Sequence, residues 1–267
     1  MNPKIGFIGA GNMGGALARA AAKAVDPKSI TLADQMVDKA AGLARQLGAN
    51  VASTEKVAET CDFIFLGVKP QVMGAMLSQI APILAKRQNF VLVSMAAGVA
   101  IADIRRMAGG DYPVIRIMPN IPASVGGGVI LFDTTDNVPA EAVETFRNFM
   151  VHAGLVDQLP EKLIDAGSAL SGCGPAFVSL FVEALADGAV ACGLPRDKAL
   201  AYAAQTVAGT AKMLLESGMH PGALKDAVCS PGGTTIMGVM AMEQGGFRGT
   251  TSEAVIAAYE RTLELGK

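Results

Sequence analysis

KIGFIGAGNMGGALARAAAK, residues 4–23, changes its local character twice within a few residues. An apolar run from Ile5 to Ile8 has the length of a strand, the segment Gly9-Ala10-Gly11-Asn12-Met13-Gly14 interrupts it, and an Ala-rich stretch with helical spacing takes over. The pattern predicts strand, tight turn and helix. Gly9 allows the turn, Gly11 lets a pyrophosphate approach the backbone, and Gly14 lets the helix close onto the strand. The free N–H groups and the positive end of the helix dipole then face the anion. The stretch reads as a dinucleotide site, with a surface Gly-rich turn as the plain alternative.

Strand and helix signals alternate from there. Ser29 to Ala33 is a short strand that ends at Asp34, twenty residues past Gly14. At that place an acidic side chain meets the adenosine ribose 2′-OH; a cap on the following helix, Val37 to Leu47, is the other reading. Asp62 to Val68, DFIFLGV, is a near-continuous apolar run, as a parallel strand covered on both faces requires. It stops at Lys69-Pro70. Then come a helix from Gln71 to Leu84, a strand from Phe90 to Met95 with Ala96-Ala97-Gly98 behind it, a helix from Ile101 to Met107 and a strand from Val114 to Met118. A Pro- and Gly-rich loop, a strand from Val129 to Phe132, a helix from Ala140 to His152 and a strand from Leu155 to Leu159 finish the series. The alternation implies an α/β unit with an open parallel sheet, whose ligands bind at the carboxyl ends of the strands. Gly9, Asp34, Lys69, Ala96 and Asn120 fall there.

Beyond Pro160 only helical signals remain, so the expected division is 1–160 for the sheet domain and 161–267 for an all-helical domain. Pro175 opens a helix that Gly193 and Pro195 close, and its polar residues Ser179, Glu183 and Asp187 form one narrow stripe. The remaining helices, Arg196 to Ser217, Pro221 to Val228, Thr235 to Gln244 and Thr251 to Leu265, are too few to enclose it, which calls for a second copy of the chain. Thr250, three residues before Glu253, resembles a capping box for the last helix.

The composition agrees. Of 267 residues, 51% are hydrophobic and 17% charged, a thin charged coat for a monomer. A net charge of −2 recruits neither nucleic acid nor an anionic membrane. The apolar segment Ala176 to Cys192 carries Glu183 and Asp187 and reads as too short to span a bilayer. Four Cys and two His, without ligand spacing, predict no metal site. The Met1-Asn2-Pro3 start, without an apolar leader, makes the cytoplasm the expected location.

A second Gly-rich stretch, DAVCSPGGTT at 226–235, lies between two helices. Successive N–H groups of Gly232, Gly233, Thr234 and Thr235, with three hydroxyls, make a cup that suits a carboxylate; a helix corner capped by Thr234 or Thr235 is the bland reading. SGCGPA at 171–176 fits close packing or a ligand contact, and Arg116 an internal ion pair or a substrate contact. No Ser, His and Asp arrangement or pair of catalytic carboxylates is visible, so the cofactor is expected to carry the hard step, as in hydride transfer.

Together these stretches resemble the pyrroline-5-carboxylate reductase family. The matching motifs are IGFIGAGNMG at the start, FLGVKP ending at Pro70, RIMPN from Arg116 to Asn120, SGCGPA, and DAVCSPGGTT, the most specific of them. The resemblance implies an N-terminal Rossmann-type domain, and a helical dimerisation domain that interlocks with that of a partner. It implies homodimers, often assembled further into decamers, and reduction of the C=N bond of L-1-pyrroline-5-carboxylate to L-proline with NADPH or NADH. By that resemblance Gly9, Ala10, Gly11, Asn12 and Met13 face the pyrophosphate. Val68, Lys69 and Pro70 with Ala96 and Ala97 face the nicotinamide, and Thr54 the adenosine. Ser230, Gly232, Gly233, Thr234 and Thr235 hold the substrate carboxylate. Thr235, whose hydroxyl also reaches the ring nitrogen, and Lys69 are the candidate catalytic residues. Many relatives end the second strand with Ser or Arg suited to a 2′-phosphate, which Asp34 would repel. The readings weighed against this one are a β-hydroxy-acid dehydrogenase, which needs a Lys with an Asn four residues on that the segment after Gly174 lacks, and a noncatalytic dinucleotide-sensing protein.

Overall fold

The first strand, β1 (Ile5–Ile8), is buried along its whole length, as is Phe63–Leu66 beside it. Strands this apolar need cover on both faces, and that demand organises the first half of the chain. The computed structural model describes residues 3–265, with the side chain of Leu265 left out. In chain order the strands are β1, β2 (Ile30–Ala33), β3 (Asn50–Val51), β4 (Phe63–Leu66), β5 (Val91–Ser94), β6 (Val114–Pro119), β7 (Gly128–Thr134) and β8 (Gly154–Gln158). They form one sheet in the order β3-β2-β1-β4-β5-β6-β7-β8. On one face, α1 (Asn12–Ala24), α2 (Val37–Leu47) and α6 (Ala140–Met150) enclose a core in which Phe7 stacks on Phe65 and the edge of Phe149 meets Phe63. On the other, α3 (Thr54–Thr60), α4 (Pro70–Leu84) and α5 (Ile101–Ala108) pack Val57, Met73, Leu77, Ile80 and Ile104 against Ile64 and Leu66. Burial in this second core pushes the Cys61 thiol pKa up.

The sheet departs from the expected all-parallel order at one place: β7 runs antiparallel to β6, while β8 is again parallel to β7. The link between β6 and β7 holds only a short 3-10 turn, Ile121–Val125, too little chain for the crossover that a parallel neighbour requires. Sequence reading passed over β3 and α3. With two exposed residues, β3 has no periodicity to detect, and α3 is two turns long.

The described residues divide into two compact units, one of residues 3–172 with 259–265, the other Cys173–Ala258. Helix α7 (Glu161–Ser171) lies in the first and buries Ile164, Ser168 and Ala169. The second holds α8 (Gly174–Ala191), α9 (Arg196–Ser217), α10 (Pro221–Val228), α11 (Thr234–Gln244) and the larger part of α12 (Phe247–Leu265). Its only buried hydrophobic cluster among the described residues is the seam of Ala186, Ala199 and Ala203 between α8 and α9. Leu180 is 68% and Leu215 85% exposed, and Tyr202, Met237 and Met240 are exposed too. A helical layer with so little interior needs another surface against it.

By length and composition the run from Glu161 to Ala191 could cross a bilayer, and it is longer than the segment weighed from sequence. The turn at Gly172-Cys173 breaks it into α7 and α8, and the buried residues of α7 pack within the sheet unit, so it is no continuous lipid-facing rod. Thr250 does not cap the last helix: α12 starts at Phe247, and Thr250 already donates its N–H to the Gly246 carbonyl at 3.0 Å.

Candidate active site

Ile8 pairs with Ala33 on one side and Leu66 on the other, and Leu66 with Ser94. Gly9, Asp34, Gly67 and Met95-Ala96 therefore stand side by side at the carboxyl edge of the sheet. The strand order reverses between β1 and β4, the switch point at which open α/β sheets bind ligands.

The three glycines of the turn differ in their surroundings. Gly9 has φ 110°, and a Cβ there would lie 2.4 Å from the Gly67 carbonyl oxygen. A Cβ on Gly14 would lie 2.1 Å from the Gly9 oxygen, so only glycine lets α1 sit this close to the end of β1. Around Gly11 a Cβ would meet nothing within 4 Å. That openness, beside a helix start whose N-cap Gly11 offers no side-chain bond, suits a pyrophosphate lying on the backbone. A cleft of about 680 Å³ opens beside the turn, lined by Ala10, Gly11, Asn12 and Met13 and by Arg19, Lys39 and Gln46.

Asp34 is not the direct cap of α2, whose N-cap is Met36 without a side-chain bond. Its Oδ1 accepts the Met36 N–H at 2.8 Å, and its Oδ2 accepts the N–H of Ala10, inside the Gly-rich turn, also at 2.8 Å. Val68 is half-buried after β4; Lys69 is exposed as N-cap of α4, and Pro70 takes the first helical position. Ala96 is buried behind β5 with its N–H toward Ser94 Oγ at 3.4 Å, and Ala97 is exposed. Thr54 opens α3 just past β3, where the Ser53 hydroxyl accepts the Lys56 N–H.

Within RIMPN, Arg116 and Asn120 both make internal contacts. Arg116, with 7% of its side chain exposed, bonds Glu161 at 3.0 Å and Asp165 at 3.3 Å. The same Glu161 oxygen accepts the Ile101 N–H at the start of α5, and Asp133 accepts the Glu161 N–H. Asn120 donates to the Ser171 carbonyl and accepts from Val129. Sequence reading missed Glu161, Asp133 and Asp165, which carry no local signal.

In the helical unit, the His220 Nδ1 accepts the Gly222 N–H at the start of α10. Along α10, Asp226 raises the pKa of the Lys225 ammonium, first through a hydrogen bond and then through its charge. The chain then turns at Ser230-Pro231-Gly232-Gly233. The Gly233 N–H donates to the Ser230 carbonyl at 3.0 Å and Gly232 has φ 69°, the type II pattern with Pro and Gly at its centre. A Cβ on Gly233 would lie 2.4 Å from Ser230 Oγ. Gly233 is the N-cap of α11 and no side chain caps it, so the expectation of Thr234 or Thr235 as the cap does not hold. Both threonines are exposed in the first turn, beside N–H groups that the helix leaves without partners. In SGCGPA, a Cβ on Gly172 would lie 2.7 Å from the Ser168 oxygen, the close packing expected there, whereas Gly174 has open space. The dinucleotide turn with Asp34, Val68–Pro70 and Ala96-Ala97 belongs to the first unit, and Ser230 to Thr235 to the second.

Comparison with known proteins identifies the family. Residues 161–265 match the family model described as pyrroline-5-carboxylate reductase dimerisation, and residues 4–98 match that described as NADP oxidoreductase, coenzyme F420-dependent. The chain is 43% identical over 270 residues to pyrroline-5-carboxylate reductase of Escherichia coli, covering the whole of both. It is similar to the structure of a pyrroline-5-carboxylate reductase from Coxiella burnetii, with a TM-score of 0.94, 31% identity and full coverage of both chains. Against pyrroline carboxylate reductase of Plasmodium falciparum with NADP bound, the TM-score is 0.86 at 32% identity, covering 100% of this chain and 99% of that one.

Proposed function

The chain belongs to the pyrroline-5-carboxylate reductase family, and from that premise we propose that it reduces L-1-pyrroline-5-carboxylate to L-proline with NADH or NADPH. The observation that carries the reading is the loop from Ser230 to Thr235, where a tight turn leads into an uncapped helix start flanked by three hydroxyl-bearing residues. Such a cup binds a carboxylate. The glycine turn of the sheet unit fits the second ligand, a dinucleotide whose nicotinamide supplies the hydride.

A cyclic imine protonates readily, so the residues mainly hold and align it. Ser230, Gly232, Gly233, Thr234 and Thr235 hold the carboxylate, and the Thr235 hydroxyl also reaches the ring nitrogen. That nitrogen gains the C=N electron pair as C5 accepts the hydride. Gly9 to Gly14 hold the pyrophosphate; Val68, Lys69, Pro70, Ala96 and Ala97 line the nicotinamide side, and Thr54 the adenosine side. Residues 161–267 act as the dimerisation and substrate region, interlocked with that of a second copy, and the free thiols suit the cytoplasm. Oxidation of NADH or NADPH on adding pyrroline-5-carboxylate tests the reading, and no turnover with either cofactor overturns it.

Thr235→Val keeps the shape and removes one hydroxyl. Catalytic efficiency for the imine is expected to fall by about 1.5 to 3 kcal/mol, roughly ten- to a hundred-fold, with little change in cofactor affinity. Since Thr235 caps nothing, the melting temperature stays put; a variant that melts lower yet reduces the imine normally would show the loop to be only a corner. The exposed faces of the helical unit predict an obligate dimer at micromolar concentration by sedimentation, with an interface of about 2,000 Å² or more. An active, well-folded monomer contradicts this.

A further inference from the structure

The loop behind β5 is held at both ends by side chains. At its start, the buried Ser94 accepts the Ala96 N–H on its Oγ at 3.4 Å. At its end, Ala100 is the N-cap of α5 but offers no side-chain bond, and the Ile101 N–H goes instead to Glu161 Oε1 at 2.8 Å, from 60 residues along the chain. Between the two anchors, Ala96 to Val99 makes a turn with Gly98 at φ 71°, closed by a long bond of 3.4 Å from the Val99 N–H to the Ala96 carbonyl. A turn of small residues closed so loosely takes its position from its ends. Glu161 is itself firmly held: its N–H donates to Asp133 on β7 at 2.6 Å, and the oxygen that holds Ile101 also accepts from Arg116 Nη1 at 3.0 Å. Arg116 in turn pairs in register with Ser94, the other anchor.

Resting on the reading of Ala96 and Ala97 as the nicotinamide side, we infer that Glu161 is a positioning residue for hydride transfer. It acts through the Ile101 N–H, setting where the turn from Ala96 to Val99 stands against the nicotinamide ring. Its negative charge at the start of α5 also suits the helix dipole. Without the carboxylate the Ile101 amide loses its partner, the first turn of α5 frays, and the loop before it shifts. At a positioning element a displacement of about an ångström costs on the order of a hundred-fold in rate. The plain alternative is an ion pair with Arg116 that only adds stability.

Glu161→Ala and Asp165→Ala separate the two. Each removes one carboxylate partner of Arg116, but only the first frees the Ile101 N–H. Calorimetric titration compares the tighter of NADH and NADPH with the matching fragment that lacks the nicotinamide, ADP-ribose or its 2′-phosphate. Wild type should bind the whole dinucleotide tighter than the fragment. In Glu161→Ala that ratio should fall about five-fold or more with fragment binding within about two-fold, and kcat for the imine should drop about ten-fold or more. Asp165→Ala should keep both, and Glu161→Gln, whose amide oxygen still accepts the Ile101 N–H, should recover most of the ratio. An unchanged ratio in Glu161→Ala, an equal loss for the fragment, the same loss in Asp165→Ala, or a wild type that binds fragment and dinucleotide alike overturns the inference. If Glu161→Ala fails to fold, amide exchange of wild type decides: the dinucleotide should slow exchange from Val99 to Ile101 more than the fragment does, and equal slowing overturns the inference. Should the ratio behave as expected while pyrroline-5-carboxylate is not reduced, the positioning role stands and the proposed substrate falls.

Discussion

Gly14→Ala is expected to weaken dinucleotide binding roughly a hundred-fold or more, about 2.7 kcal/mol, and to lower the melting temperature as well. The added methyl would meet the Gly9 carbonyl oxygen at 2.1 Å, and Gly9 has no room to retreat because its own Cα faces the Gly67 backbone. Helix α1 must back away by about an ångström, and a displacement of that size at a positioning element costs on the order of a hundred-fold. Gly11→Ala provides the contrast. Gly11 has an ordinary φ of −70° and its methyl would meet nothing in the protein, so folding is untouched while the methyl stands where the pyrophosphate approaches. Titration with the nicotinamide dinucleotide and thermal melts of both variants check the pair. Normal binding by Gly14→Ala, or a lowered melting point in Gly11→Ala, would assign the turn a purely structural or a different role.

Arg116→Met should destabilise the sheet unit by about 3 kcal/mol, because it keeps the apolar stem but leaves Glu161 and Asp165 facing each other beneath it. For a chain of this size that corresponds to a melting temperature lower by roughly 6 to 12 °C. The expectation lies at the low end for a buried network, since the two carboxylates are 32% and 38% exposed and recover part of their hydration. Adding Glu161→Gln and Asp165→Asn removes the repulsion, keeps an acceptor for the Ile101 N–H, and should restore most of the loss. A single variant that melts within a degree or two of wild type would show that α7 and α5 are positioned without the arginine.

The contrast between these two sites shows how far sequence could be read. Gly14 answers a demand made by Gly9, five positions before it, and Gly9 has the positive φ that the turn requires, so the motif announced its own structure. The same holds for Ser230 to Gly233, where Pro231 and Gly232 select the turn. Helices α9 and α10 were legible to the residue because Pro195, Gly218 and Pro221 mark their limits. Arg116 left two readings open, since nothing in its neighbours says what lies across from it.

By itself, then, the sequence determined the strand-turn-helix at the start, the apolar strands that need two covered faces, the change to helices after Pro160, and the loop of small residues and hydroxyls at 230–235. All of these follow from spacing and backbone preference within one element. Tertiary structure alone decided the reversed direction of β7, the packing of α7 within the sheet unit, the partners of Arg116 45 and 49 residues away, and the bond from Ala10 to Asp34 across 24 residues. Contacts between distant residues leave no period in the chain; they exist only once hydrogen-bond register brings one strand end beside another.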